Sequence, residues 1–171
     1  MGVRAYYLAV PPNDAERAER DEALWAELSF EPPAHYPSCE IEKSWSTLWH
    51  LLDPAARGTG PEPEPSTDAG RAVMGAHVFG RAFAEGDRYP QDLAGVRGHP
   101  RLLRPFEVVR ASAALSTVTA PILLAAYDAG QIERGVYSVA SEDVAWSYFE
   151  RLRDFYEGAA ERGDVVLVHI W

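Results

Sequence analysis

The chain has 171 residues, 47% of them hydrophobic and 25% charged. That is long enough for one domain with a sizeable core, and the balance is that of a folded globular protein. The net charge of −10 argues against nucleic acid or an anionic membrane as the main partner, and no apolar run reaches membrane-spanning length.

The charge is uneven. Residues 1–70 carry 13 acids and 5 bases, residues 71–110 carry 4 acids and 7 arginines, and residues 111–171 carry 9 acids and 4 bases. The middle segment is therefore a local basic region, whose arginines have acidic flanks of the same chain to pair with. The lone Cys39 has no internal disulfide partner, and the start is too short and too aromatic for a signal peptide. Gly2 lacks the Ser or Thr that myristoylation needs. These features place the protein in the cytoplasm.

Residues 2–10, with Tyr6, Tyr7, Leu8 and Val10, predict a strand that Pro11-Pro12-Asn13 ends. Asp14 resembles an N-cap for a surface helix to about Ser29, with Ala18, Leu24, Trp25 and Leu28 on its apolar side. Residues 30–39 form a Pro-rich loop with His35, Tyr36 and Cys39. From Glu40 to Leu52 the period is helical. At about 100° per residue, Ile41, Trp45, Leu48 and Leu52 share one stripe, which reads as packed core, while Lys43, Ser46 and His50 point the other way. Residues 54–70, rich in Pro, Gly and Glu, predict a mobile surface loop.

Residues 70–80 fit a short helix or a short strand, and residues 81–104 a long ordered loop. Pro105 suits the first position of a helix running to Ser116, and Thr119 with Pro121 opens a shorter one through Ala126. The clearest helix is the last. Ser141 caps it, Glu142 and Asp143 suit its positive end, and Ala145, Phe149, Leu152, Tyr156 and Ala159 recur at helical spacing before Gly163. The chain closes on Val165 to Trp171, a near-continuous apolar run that reads as a buried strand. The fold expected is α+β: a single domain over residues 1–171, with about five helices and a small, mostly antiparallel sheet that includes both terminal strands.

The chain has no nucleophile elbow, phosphate loop, zinc-protease motif, CxxC or dinucleotide fingerprint. Cys39 with His35 or His50 could form a thiol–imidazole pair, but no third orienting group stands near, and an inert thiol is the preferred reading. Glu40 and Glu42 diverge if they lie on a helix. The five histidines show no metal-ligand spacing, so no metal and no cofactor is expected. Arg97, His99, Arg101 and Arg104 could bind a phosphate or carboxylate, and His169 reads as a hydrogen-bonded core histidine.

In order, the chain offers Met1-Gly2 and a Tyr-rich strand, then Ile41-x-Lys43-x-Trp45-x-x-Leu48 with Leu52, then Ala72-Val73-Met74-Gly75-x-His77. Val136-Tyr137 follows, and then Leu152-x-x-Phe155-Tyr156-x-x-Ala159-x-x-x-Gly163. This set resembles the DUF1877 family of YfbM-like proteins, small α+β domains of unknown function. The resemblance implies a fold and no established reaction. The chain departs from the family pattern at Trp49, where a histidine is common and His50 is one place along. It departs again at Ser138, in place of a proline, and at Arg104, where Ser or Thr usually precedes the proline.

Three functions compete. A non-enzymatic adaptor or immunity-like domain would dock a protein partner with a basic surface, steered by the acidic charge. A small hydrolase or transferase would use His50 or His77 as base, with Arg101 or Arg104 holding an anion. A structural homo-oligomer is suggested by tryptophan content alone. The first is preferred.

Overall fold

Strands from the two ends of the chain meet at the centre of one sheet. A computed structural model describes residues 4–30, 32–56, 65–80, 100–127 and 140–170. Strand β1 (Ala5–Val10) pairs antiparallel with β5 (Val165–Ile170), from Ala5 opposite Ile170 to Val10 opposite Val165. On the far side of β1 lies β2 (Ser38–Glu42); on the far side of β5 lie β4 (Arg101–Leu103) and then β3 (His77–Val78). The order is β2-β1-β5-β4-β3, and every pairing is antiparallel.

Both faces of this sheet are covered, which is why β5 reads as an unbroken apolar run: all six of its residues are buried. Side chains alternate along a strand, so β1 sends Ala5, Tyr7 and Ala9 to one face and Leu8 and Val10 to the other. The smaller core, under Leu8, Val10 and Leu167, is closed by α1 (Pro12–Ala18) and α2 (Glu22–Phe30) through Ala15, Ala18, Trp25 and Leu28.

The larger core lies beneath α3 (Trp45–Leu52), α4 (Asp68–Met74), α5 (Pro105–Ser116), α6 (Ala120–Ala125) and α7 (Glu142–Arg162). On α7, Ala145, Phe149, Leu152, Tyr156 and Ala159 are the buried stripe. Each large member contributes about 1.5–3 kcal/mol by leaving water. Gly163 ends the helix at φ 72°, a left-handed turn that a Cβ would oppose. Ser141 occupies the N-cap position without a side-chain bond to the helix.

The α+β class and the paired terminal strands match the sequence reading; several boundaries do not. The described residues hold seven helices where about five were expected. The first surface helix is two, because the Asp21 carboxylate accepts from the Ala23 and Leu24 N–H groups and starts a new one. Glu40 to Glu42 are strand, so Glu40 and Glu42 share a strand edge, and α3 begins only at Trp45. Ile41 and Trp45 are four residues apart and so mimicked one helical face, yet Cys39 and Ile41 alternate into the core beside β1. The loop expected over 54–70 contains a 3-10 turn, Pro54–Ala56, and the start of α4; residues 57–64 lie outside the described residues. The ambiguous 70–80 stretch is helix, then strand, and the expected 81–104 loop ends in β4, its residues 81–99 lying outside the described ones.

Candidate functional site

Gly75 ends α4 at φ 74° with its Cα against Arg101, where a Cβ would come within 2.5 Å of the Arg101 Cβ. That close approach lets the chain turn directly into β3, where His77 sits opposite Leu102 and Val78 opposite Arg101. Arg104 and Pro105 then begin α5. Pro105 lacks an N–H that no helix acceptor would have met, and its fixed φ suits the first turn.

His77 and Glu107, thirty residues apart in sequence, meet here. The His77 Nε2 lies 2.8 Å from Glu107 Oε1 and 3.1 Å from Oε2. The Arg104 N–H donates to Oε2 of the same carboxylate at 2.9 Å, so Glu107 also caps α5. The His77 side chain is 44% exposed and that of Glu107 only 14%. The imidazole is thus held by a fixed carboxylate at one nitrogen while half of it faces solvent. Arg101 turns its guanidinium back to the Ala76 carbonyl at 3.0 Å. Further along α5, Arg110 pairs with Asp68, which also pairs with Arg71. Among the described residues the most exposed large apolar groups are Phe106 at 59% and Val109 at 52% on this helix, and Ile122 of α6 at 59%.

Of the residues singled out in the sequence, His77, Arg101 and Arg104 are brought to this one edge. Arg97 and His99 lie outside the described residues. Cys39 is buried in the larger core, where burial pushes its thiol up to about 11; Arg151 pulls it down and Glu40 adds to the rise. A thiol raised in this way stays protonated at neutral pH. His35 lies against the Tyr36 ring at a centroid distance of 4.1 Å, with Tyr36 hydrogen-bonded to Asp14 beside the smaller core. His50 does not project outward: α3 is covered almost all round, and His50, Ser46 and Thr47 are buried. His169 is buried beside Tyr6, and burial lowers its pKa to about 3, so it is neutral. Among the described residues, no group of three or more His, Cys, Asp and Glu side chains could hold a metal ion.

Sequence reasoning missed Glu107 as the partner of His77. The only signal was its place three residues after Arg104, where a helix-capping acid belongs. It also missed Asp53, which follows α3 directly. This fully buried carboxylate accepts from Ser66 N–H at 2.6 Å, Thr67 N–H at 3.1 Å and the Ser66 hydroxyl. A Cβ on Gly70 would collide with it. Two buried phenols hold the other end of α4: Tyr7 donates to the Val73 carbonyl at 2.9 Å and Tyr156 to that of Ala72 at 2.8 Å. Burial raises both phenol pKa values well above the ordinary one.

A model of the family described as a domain of unknown function, DUF1877, matches residues 1–169. The chain belongs to the DUF1877 family. The crystal structure of a protein of unknown function, YfbM from Escherichia coli, superposes with a TM-score of 0.64 at 17% sequence identity, covering 98% of this chain and 99% of that one. At that identity the likeness concerns the fold. No curated protein matches the chain. Among the described residues no helix is long and apolar enough to cross a membrane.

Proposed function

We propose that this DUF1877 protein is a non-enzymatic binding domain of the cytoplasm, and that it docks a protein partner through the solvent face of α5. The observation that carries this reading is the exposure of Phe106 and Val109, one turn apart, with the exposed Ala113 continuing the stripe. An aromatic left in water beside Arg104 and Arg110 has the composition of an interface centre. The partner inferred is basic overall, because a net charge of −10 steers cationic proteins from a distance, and it offers an apolar pocket to Phe106. The test is capture from the native lysate at moderate salt by the wild-type chain and by Phe106→Asp. A stoichiometric basic partner held by the first and lost by the second supports the reading; equal capture by both removes α5 as the docking face.

A second reading has its own support in the His77 and Glu107 contact. A carboxylate that orients an imidazole is half of a general-base arrangement, and Arg101 and Arg104 are the residues beside it that could hold an anionic substrate. It makes the protein a small hydrolase or transferase. A screen of phosphate and carboxylate esters decides it: any turnover found must fall at least a hundredfold in His77→Ala, and turnover indifferent to that change rejects the site.

A further inference from the structure

Among the described residues β3 is the shortest strand of the sheet: it is two residues long, pairs only with β4, and is one of the two outer strands. Its ends are bracketed by two backbone bonds, Ala76 N–H to the Leu102 carbonyl at 3.1 Å and Phe79 N–H to the Pro100 carbonyl at 2.8 Å. Beyond Val78, the Trp25 indole N–H donates to the Phe79 carbonyl at 3.2 Å and pins that end. At the other end, the His77 contact with Glu107 ties the strand to α5.

We propose that His77 and Glu107 form a proton-operated clasp, which fastens the β3 edge to the first turn of α5 when the imidazole is protonated and slackens when it is neutral. A protonated imidazole presents N–H at both ring nitrogens, so Nε2 always donates to the carboxylate. A neutral one carries one N–H, and the tautomer with a lone pair at Nε2 is repelled by the carboxylate. A charge-assisted bond is about twice as strong as a neutral one. The change reaches the helix because Glu107 Oε2 serves both His77 and the Arg104 N–H. A carboxylate fixed by His77 stays in the orientation that caps α5.

Among the described residues, the charged groups on the elements packed around the pair are few. Arg101 on β4 is turned to the Ala76 carbonyl, Arg104 and Arg110 lie on α5, and Asp68 and Arg71 lie on α4. Arg110 and Arg71 are both engaged by Asp68. This leaves Glu107 as the acid in direct contact with the imidazole. The clasp is tight while the imidazole carries its second proton and the carboxylate is ionised, and it slackens as rising pH removes that proton.

The experiment is NMR on the intact chain between pH 5 and pH 8. The His77 ring and the Arg104 amide proton should shift with one shared midpoint. Hydrogen-exchange protection of the Ala76 and Phe79 amides, relative to intrinsic rates, should rise roughly fivefold toward the acidic end, the change in the opening equilibrium that the added strength of a charge-assisted bond gives. The central Val168 amide serves as an unaffected reference. His77→Gln, at a half-exposed site that tolerates it, should flatten both responses. Glu107→Gln keeps an oxygen for the cap but loses the charge, and should flatten the protection change while α5 remains. An Arg104 amide indifferent to the His77 transition, or the same pH response in His77→Gln, overturns the proposal.

Discussion

The two ends of α4 and the first turn of α5 use the same kinds of bond in opposite surroundings. Around α4 the side chains that make the bonds are buried: the Asp53 carboxylate receives the Ser66 and Thr67 backbone at one end, and Tyr7 and Tyr156 serve the last carbonyls at the other. Around α5 they are half in water: His77 on Glu107, Arg110 on Asp68, with Phe106 and Val109 exposed between them. A buried polar group left without its partner keeps the full cost of desolvation, whereas an exposed one returns to water. The first region is therefore committed to the fold, and the second is free to meet something else.

The contrast predicts a graded series. The largest effect is expected for Asp53→Ala, which strands two backbone N–H groups and a hydroxyl at the start of α4; about 4 kcal/mol of stability should be lost in urea unfolding. A loss under 1 kcal/mol would show that water replaces the carboxylate and that the comparison is drawn too sharply. Next is acid sensitivity from His169. Its folded-state pKa, about 3, lies below the ordinary 6.5, so the unfolded chain takes up the proton first. That contribution is intact above pH 6.5 and is lost as pH falls toward 3. Between pH 7 and pH 4 it amounts to about 3 kcal/mol, and His169→Phe should flatten the acid limb of the stability profile.

Tyr7→Phe and Tyr156→Phe should each cost about 1–2 kcal/mol by leaving a carbonyl of α4 unmet. Their rings meet edge to face at 6.4 Å, so the double variant should depart from the sum in a double-mutant cycle. The smallest stability effect belongs to the exposed side: Phe106→Asp should change unfolding free energy by less than about 0.5 kcal/mol while removing partner capture. A large destabilisation there would mean that Phe106 serves the fold and would erase the distinction. The thiol sharpens the same line at no energetic cost, since Cys39 should resist alkylation in the native protein and react fully in denaturant.

Much of the fold was legible wherever a periodic pattern met a local stop signal. The stripe on α7 ends at a glycine with a left-handed turn, and Pro105 opens α5, because both signals act through backbone geometry that needs no distant partner. The end strands were legible because only a strand buried on both faces reads as Val165 to Ile170 does. The boundary of α3 was not, since Ile41 obeys a helical spacing by coincidence and is claimed by its pairing beside β1. Within the candidate site, three residues were named from chemistry alone, while Glu107 and Asp53 looked like ordinary helix-end acids.

The sequence alone therefore determined the class of fold, the pairing of its two ends and the membership of a family, all of which rest on composition, period and order. Only the tertiary structure decided that His50 is enclosed, that Asp53 holds the start of α4 and that His77 meets Glu107. The reason is physical. Burial and hydrogen bonding across 13 or 30 residues depend on how the chain closes its loops, and no local pattern records which distant group will stand at the other end.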